Sequence, residues 1–302
     1  MKKFAIITNA YKDKNLRLTH KIVDYVSEKG GYAVALSEGH EGVNEFEDIN
    51  FSIMPKDTEC IMVLGGDGTL IRSAAKVMEY NIPLLGINIG NLGYLCELEA
   101  NDVFDAIDRL MRDEYFLEER IMIEGGKNPR EIVYGLNDIV IHRVGDLAVL
   151  RMHVYVNGEF LATYDADGII VSTPTGSTGY NLSAGGPIVN PKAQMLVMTP
   201  INSHSLNARS IVFSSNDLIE IEMGTRRYLM DEEAYVSCDG DRVETLRVGE
   251  RYAVSRSYNV ITIARLKRKS FLEILRKKMG SHLGGLDENQ TTIQDFGINS
   301  EE

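Results

Sequence analysis

Four short apolar runs in the first third of the chain constrain its fold more than any other feature. The runs lack polar alternation and extend over Phe4 to Thr8, Ala33 to Leu36, Cys60 to Leu64 and Pro83 to Ile87. Such runs are typical of parallel strands that are covered on both faces of a sheet. A chain with this pattern must therefore supply helices to cover both faces.

Three stretches with helical spacing of apolar residues accompany these runs. They contain Leu18 to Val26, Leu70 to Met78 and Phe104 to Met111. Strand and helix in alternation predict a doubly wound α/β domain with a mostly parallel sheet. In such a sheet, ligands bind beyond the carboxyl ends of the strands.

The pattern changes near Tyr115, and the later segments are rich in β-formers and turn residues. The β segments include 132–141, 151–156, 169–172, 211–213, 218–221 and 260–264, and Asn157-Gly158 predicts a tight hairpin. We therefore predict an α/β domain over 1–115 and a β-rich domain over 116–267. A last helix over 268–280, which could join the first domain, precedes a loosely ordered tail over 281–302.

Charge and cysteine content exclude several classes of protein. The 302 residues carry 32 Lys and Arg against 44 Asp and Glu, a net charge of −12, which disfavours nucleic acid as a partner. No apolar run could span a bilayer, and the opening run from Phe4 to Ile7 is too short for the apolar core of a signal peptide, so we expect no membrane partner. The three cysteines form neither a Cys-x-x-Cys pair nor a disulfide framework. We expect a cytoplasmic protein.

The strongest local signal is the sequence from Gly65 to Thr69, Gly-Gly-Asp-Gly-Thr, between an apolar run and an amphipathic helix. Gly66 and Gly68 would allow a phosphate close to the backbone, and the helix N-terminus would attract it. Thr69 is expected to cap the helix. Asp67 beside a phosphate suggests a metal ligand or a base, although a plain turn aspartate is the alternative.

A second glycine-rich segment follows the next strand and contains Tyr94, which could lie against a base. A mobile crossover loop with a core tyrosine explains it equally well. Neither the Gly-x-x-x-x-Gly-Lys-Ser/Thr phosphate loop nor a Gly-x-Gly-x-x-Gly after the first strand occurs. These absences disfavour a P-loop ATPase and a standard dinucleotide oxidoreductase.

Polar residues in the second half could bind a polyhydroxylated, phosphorylated ligand. Asn137 and Asp138 interrupt an apolar segment, where ribose hydroxyls would satisfy them and a local bulge or turn is the alternative. Hydroxyl groups crowd the segment from Asp167 to Pro187, including Thr175. Asp239 could contact a ligand, but Asp239-Gly240 fits a hairpin turn better.

In combination, these motifs resemble those of NAD kinases over about residues 61–265. They are Gly65 to Thr69, Asn137-Asp138, Asp167-Gly168 and Ser172 to Pro187. The first motif is shared with phosphofructokinases and diacylglycerol-type lipid kinases, whereas the last block is more specific. The resemblance implies transfer of a phosphoryl group from ATP, or from polyphosphate, to the 2′-hydroxyl of the adenosine ribose of NAD. It also implies Mg²⁺ or another divalent metal and a homodimer or homotetramer.

The resemblance also implies roles for individual residues. Asp67 would be the general base, and Gly66 and Gly68 would hold donor phosphates. Tyr94 would lie near the adenine. The other implied contacts are ribose hydroxyls for Asn137 and Asp138, the dinucleotide site for Thr178, Tyr180 and Ser183, and the nicotinamide end for Asp167. No metal ligand is assigned.

Three positions depart from the family pattern, and two other functions compete. Asp138 stands where the family more often has Glu, Gly179 where it often has Ala, and Asp165 at a position linked to the choice of donor. The shared glycine motif leaves a lipid kinase as one alternative. A non-catalytic NAD(P) sensor with the same fold is the other.

Overall fold

The computed structural model describes residues 1–37, 49–90, 93–96, 98–145, 149–204, 208–225 and 232–266, together with the helix 271–280. Residues 1–267 form one compact unit, and residues from 268 onward belong to a second.

The helices are α1 Arg17–Glu28, α2 Asp67–Val77, α3 Val103–Met111, α4 Tyr180–Ser183 and α5 Phe271–Gly280. The strands of the first half are β1 Lys3–Thr8, β2 Tyr32–Ala35, β3 Cys60–Gly65, β4 Leu84–Asn88, β5 Leu98–Glu99, β6 Phe116–Gly126, β7 Val133–Gly135 and β8 Asp138–Arg143. Those of the second half are β9 Leu150–Val156, β10 Glu159–Ala166, β11 Gly168–Ser172, β12 Met195–Ile201, β13 Ile211–Ser214, β14 Ile219–Gly224, β15 Glu233–Cys238, β16 Asp241–Arg247 and β17 Arg251–Arg265.

The four predicted apolar runs form a parallel sheet in the order β4-β3-β1-β2, which confirms the doubly wound α/β pattern. Alternate residues of β1 enter different cores. Phe4 and Ile6 pack with α1 and α3, whereas Ala5 and Ile7 pack on the other side with α2. Burial on both faces explains why β1 shows no polar alternation.

The β-rich half extends this sheet rather than standing apart from it. Strand β17 pairs with β14 and β6 along its length and joins β4 in parallel where Ile263 faces Leu84. Within the described residues this sheet has eleven strands, and a second, antiparallel sheet has six in the order β13-β12-β11-β8-β15-β16. The core of the β-rich half includes Ile141, Val154, Ile169 and Tyr252 from both sheets.

The structure confirms the predicted hairpin at Asn157-Gly158 and divides the predicted segment 132–141 into two strands. Asn157 and Gly158 have φ angles of 52° and 82° and join β9 to β10, as the hairpin prediction requires. The segment 132–141 is not one strand, because β7 pairs with β6 in the first sheet and β8 belongs to the second. Leu136 and Asn137 lie between these two strands, so the polar pair Asn137-Asp138 marks the point at which the chain passes from the first sheet to the second.

The last helix predicted from the sequence is present as α5. Its association with the first domain and the division at residue 115 stay predictions. Residues 268–270 and the tail 281–302 lie outside the described residues. None of the helices within the described parts is both long and apolar enough to cross a bilayer.

Candidate active site

The glycine turn lies between β3 and α2, at the carboxyl edge of the parallel sheet. Helix α2 begins at Asp67, and Gly66 occupies the N-cap position. The predicted N-cap, Thr69, is instead the third helical residue, and its Oγ1 accepts a 3.4 Å hydrogen bond from the Gly66 N–H. The helix begins one turn earlier than expected, so its N-terminal N–H groups lie within the glycine turn itself.

The side chain of Thr69 faces the protein and not the open side of the turn. It is buried, and the amide of Asn9 also donates a 3.4 Å hydrogen bond to its hydroxyl. The Asn9 backbone N–H donates to the carbonyl of Leu64 at 2.8 Å. Thr69 therefore holds the loop after β1 against the glycine turn, and only its backbone is available to a ligand.

The carboxylate of Asp67 is fixed by the backbone of the loop that follows β4. Its Oδ2 accepts from the N–H of Tyr94 at 2.6 Å. Its Oδ1 accepts from the N–H groups of Leu95 at 3.1 Å and Cys96 at 3.0 Å. A carboxylate has about four lone-pair sites, so one site on Oδ2 is left for another donor. The structure thus brings together Asp67 and Tyr94, which the sequence placed in separate motifs.

This contact requires glycine at position 93. A Cβ atom on Gly93 would lie 1.8 Å from Oδ1 of Asp67, far inside van der Waals contact. Gly93 therefore leaves room for the Asp67 carboxylate. No feature of the sequence alone indicated this.

A second group of predicted residues lines a cavity of about 410 Å³ on the antiparallel sheet. The lining residues are Asn137, Asp138, Val140, His142, Tyr180, Ser237, Asp239 and Gly240. Four of them were predicted from the sequence. The other four belong to the strands β8 and β15 and the turn that follows β15, which are neighbours in the sheet but distant in the chain.

Asp239 forms the predicted hairpin turn and also lines the cavity, while its contact with a ligand stays a prediction. With φ angles of 50° and 90°, Asp239 and Gly240 form the two-residue turn between β15 and β16. The Asp239 carboxylate also accepts from the N–H groups of Leu136 at 2.7 Å and Asn137 at 2.8 Å. It therefore fixes the backbone of Asn137 in addition to lining the cavity.

Asp138 is a buried acid beside a second carboxyl group. Its burial, and secondarily the nearby carboxylate of Asp239, raise the pKa of Asp138 to about 7. Burial also raises the pKa of Asp239, against the hydrogen bonds from three backbone N–H groups. The protonated form of Asp138 can donate a hydrogen bond as well as accept one.

The raised pKa of Asp138 predicts a specific dependence of stability on pH. Because the folded chain binds this proton more tightly than the unfolded chain, the free energy of unfolding should fall as pH rises from about 4 to about 7. In Asp138→Asn this contribution is absent, so the variant should gain stability relative to wild type over the same interval. Denaturant unfolding at a series of pH values measures both slopes, and equal slopes would contradict the assignment.

The hydroxyl-rich segment after β11 is largely buried and only partly available to a ligand. Thr173 and Ser177 are both fully buried. The Ser177 hydroxyl donates to the carbonyl of Pro174 at 2.7 Å, and Thr173 donates to Leu136 at 2.6 Å. Thr178 donates to the carbonyl of Thr175 at 3.4 Å. Several hydroxyls expected at a ligand therefore stabilise the loop itself.

Asp167 and Ser183, like Thr175 and Thr178, are not among the residues that line the cavity in the described part of the chain. The carboxylate of Asp167 pairs with Arg143 at 3.1 Å and accepts from the amide of Asn202 at 3.0 Å. Ser183 ends α4 and is exposed. Their roles at the dinucleotide stay predictions.

A partly buried ion cluster, missed in the sequence, connects the loop that follows β4 with the loop that follows β11. Glu118 pairs with Arg120 and lies 3.6 Å from a guanidinium nitrogen of Arg265. Arg265 donates to the carbonyl of Leu95 at 3.0 Å, and Arg120 donates to the hydroxyl of Thr175 at 3.4 Å. Together the two guanidinium groups hold the pKa of Glu118 below its usual value despite burial. In the sequence, the only local signal for this cluster is that Glu118 and Arg120 are two residues apart, which places them on the same face of β6.

Comparison with known proteins identifies the family. The model of the ATP-NAD kinase N-terminal domain matches residues 4–115, and that of the ATP-NAD kinase C-terminal domain matches residues 136–266. An NAD kinase from Agathobacter rectalis is 56% identical over 285 residues, covering 93% of this chain and 100% of the relative. One from Lachnoclostridium phytofermentans is 42% identical, covering 93% and 99%.

Solved structures show the same fold. Yeast NADH kinase complexed with NADH has a TM-score of 0.81 at 20% identity, covering 96% of this chain and 90% of the yeast chain. An NAD kinase from Archaeoglobus fulgidus in complex with ATP has a TM-score of 0.72 at 21% identity, covering 92% and 99%. On the two domain matches and the identity of its relatives, this chain belongs to the NAD kinase family.

Proposed function

We propose that this protein transfers the γ-phosphoryl group of ATP to the 2′-hydroxyl of the adenosine ribose of NAD, which produces NADP. The observation that carries the proposal is the Asp67 carboxylate, oriented by three backbone N–H groups at the start of α2 and left with one acceptor site. The membership of this chain in the NAD kinase family supports the same reaction.

Asp67 is assigned as the general base. Its remaining Oδ2 lone pair accepts the proton of the ribose 2′-hydroxyl as that oxygen attacks the γ-phosphorus. The bond from phosphorus to the leaving ADP oxygen breaks in the same displacement. Catalysis then depends on the alignment of the two substrates and on charge stabilisation, for which a rigid carboxylate is suited.

The donor phosphates are assigned to the glycine turn. The N–H of Gly68 lies in the first turn of α2, where unpaired N–H groups and the helix dipole favour an anion. The N–H of Gly66 donates to Thr69, so Gly66 is assigned to the phosphates because it has no side chain to block their approach. Thr69 contributes through its backbone. Tyr94, whose own N–H holds Asp67, is assigned to the adenine.

The NAD ribose and its neighbouring groups are assigned to the cavity on the antiparallel sheet. Asn137 and Asp138 supply an amide and a carboxyl group for ribose hydroxyls, and Tyr180 and Asp239 complete the wall. The partly buried ion cluster of Glu118, Arg120 and Arg265 connects the loop after β4, whose N–H groups hold Asp67, with the loop that contains Thr175. Thr178, Ser183 and Asp167 are assigned to more distant parts of the dinucleotide.

The residues present fit a divalent metal that is held chiefly by the phosphates of the substrate. No group of three acidic, His or Cys side chains among the described residues could hold a metal alone. Mg²⁺ commonly takes only one or two protein oxygens at a nucleotide site. Oδ1 of Asn88, buried at the end of β4 without a hydrogen-bond partner in the described part of the chain, could be one. When bound, the metal neutralises phosphate charge.

The direct test is to incubate the purified protein with NAD and Mg-ATP and to measure NADP with an NADP-specific readout. NADP formation is expected, and its absence would contradict the proposal. A parallel incubation with diacylglycerol tests the lipid-kinase alternative, and a third with polyphosphate in place of ATP tests the donor.

Asp165 stands at the position that the family links to the choice of phosphoryl donor. Its carboxylate pairs with Arg151 at 2.8 Å.

Assembly and location are further proposals. We assign a homodimer or homotetramer, which light scattering coupled to size-exclusion chromatography measures directly. Leu182, 38% exposed, is an apolar side chain that a subunit contact would cover. The three cysteines are all free and buried, which agrees with the reducing conditions of the cytoplasm.

A further inference from the structure

The ammonium group of Lys12 lies beside the glycine turn although the residue is far from that turn in the sequence. A Cβ atom placed on Gly66 would lie 3.1 Å from Nζ of Lys12, and one on Gly90 would lie 3.7 Å from it. Gly66 follows β3 and Gly90 follows β4. The ammonium therefore lies over the carboxyl ends of two adjacent parallel strands.

The backbone of Lys12 is held in this position by Asn9. The N–H of Lys12 donates to the side-chain oxygen of Asn9 and to its carbonyl, both at 3.1 Å. Asn9 is itself attached to β3 at Leu64 and to α2 at Thr69. The loop after β1 and the glycine turn are therefore one connected structure, and the lysine projects from a defined point.

Lys12 lacks an anionic partner in the part of the chain that is described. The residue is exposed, and no carboxylate there lies within ion-pair distance of its ammonium. The nearby Asp67 instead accepts three backbone N–H groups. An ammonium next to the N-terminus of α2 concentrates positive potential at one point, which favours a multiply charged anion.

We propose that Lys12 binds the phosphates of the nucleotide donor and closes the open side of the glycine turn over them. The inference rests on the proposed function, because it assigns the donor phosphates to that turn. A solvated surface lysine is the competing explanation. Lys14, an exposed lysine two residues further along the same loop, provides the matched control.

The test compares Lys12→Met with Lys14→Met and Lys12→Arg in the full-length protein. Titration calorimetry measures the dissociation constants of Mg-ATP, inorganic tripolyphosphate and NAD for each. Loss of one charge-assisted contact should weaken Mg-ATP and tripolyphosphate about 10- to 100-fold in Lys12→Met. NAD binding should stay within about twofold, Lys14→Met should match wild type, and Lys12→Arg should recover part of the affinity.

The outcomes separate the lysine from the reaction. Wild-type affinity of Lys12→Met for tripolyphosphate would overturn the inference, as would an equal loss of NAD affinity. Thermal unfolding of each variant checks that it is folded. If the wild-type protein made no NADP, the proposed function would fail, while tripolyphosphate binding would still test whether Lys12 holds phosphate.

Discussion

Replacing Asp67 with asparagine is expected to reduce the turnover of NAD by about 10²- to 10⁴-fold, the usual contribution of a general base. The amide has nearly the size of the carboxylate but cannot take the proton of the ribose hydroxyl. Its oxygen can still accept from Leu95 and Cys96, whereas its NH₂ group would face the N–H of Tyr94. Steady-state NADP formation at saturating Mg-ATP and NAD measures the loss.

Asp105→Asn is the matched control for this variant. Asp105 is also an acidic residue in the first turn of a helix, α3, but it is exposed. Its replacement should leave turnover unchanged. Turnover of Asp67→Asn within about threefold of wild type would show that no general base acts at this position. Retained NAD affinity in the variant would show that the loss lies in the chemical step.

Gly93→Ala should also reduce turnover, by about 10²-fold or more, although position 93 bears no functional group. The new Cβ would lie 1.8 Å from Oδ1 and 2.2 Å from Cγ of Asp67, so the carboxylate must move. Any movement breaks hydrogen bonds from Tyr94, Leu95 or Cys96. A displacement of about 1 Å in a catalytic group can cost about 10²-fold in rate. The same assay of NADP formation measures it.

A double-mutant cycle isolates the cause. The three atoms nearest to the added Cβ all belong to the Asp67 side chain beyond its own Cβ. In an Asp67→Ala background they are absent, so Gly93→Ala should no longer reduce the free energy of unfolding. In the wild-type background, loss of hydrogen bonds to a charged group should lower that free energy by about 1.5–3 kcal/mol. Equal costs in both backgrounds would show that Gly93 has a different role.

Structural features that depend on neighbouring residues could be predicted from the sequence, whereas features that depend on contacts between distant residues could not. Strand β1 was predictable because its own residues are apolar on both faces, and Asn157-Gly158 because a type I′ turn needs two adjacent positive φ angles. Strand β6 was not, since Glu118, Glu119 and Arg120 follow one another and resemble an exposed segment. Only the fold shows that Glu118 pairs with Arg120 and that Arg265, distant in the chain, lies beside Glu118.

The start of α2 shows the same limit at closer range. Thr69 has the residue type of an N-cap, but the helix begins at Asp67, with Gly66 as the extended N-cap residue and its N–H donating to the Thr69 hydroxyl. The sequence marked the polar pair Asn137-Asp138 as an interruption of an apolar segment. Its meaning as a change from one sheet to the other depended on strands that the local pattern does not reveal.

From its residues alone, the chain determined an α/β half, a β-rich half and the glycine-flanked carboxylate of Asp67, because apolar periodicity and turn chemistry act between near neighbours. Tertiary structure decided what that carboxylate contacts. Two groups reach the glycine turn from distant parts of the chain, namely the N–H donors after Gly93 and the ammonium of Lys12. The Asp239 turn likewise reaches Asn137 at the cavity on the antiparallel sheet. Their proximity follows from strand order and register, which depend on how the whole core packs.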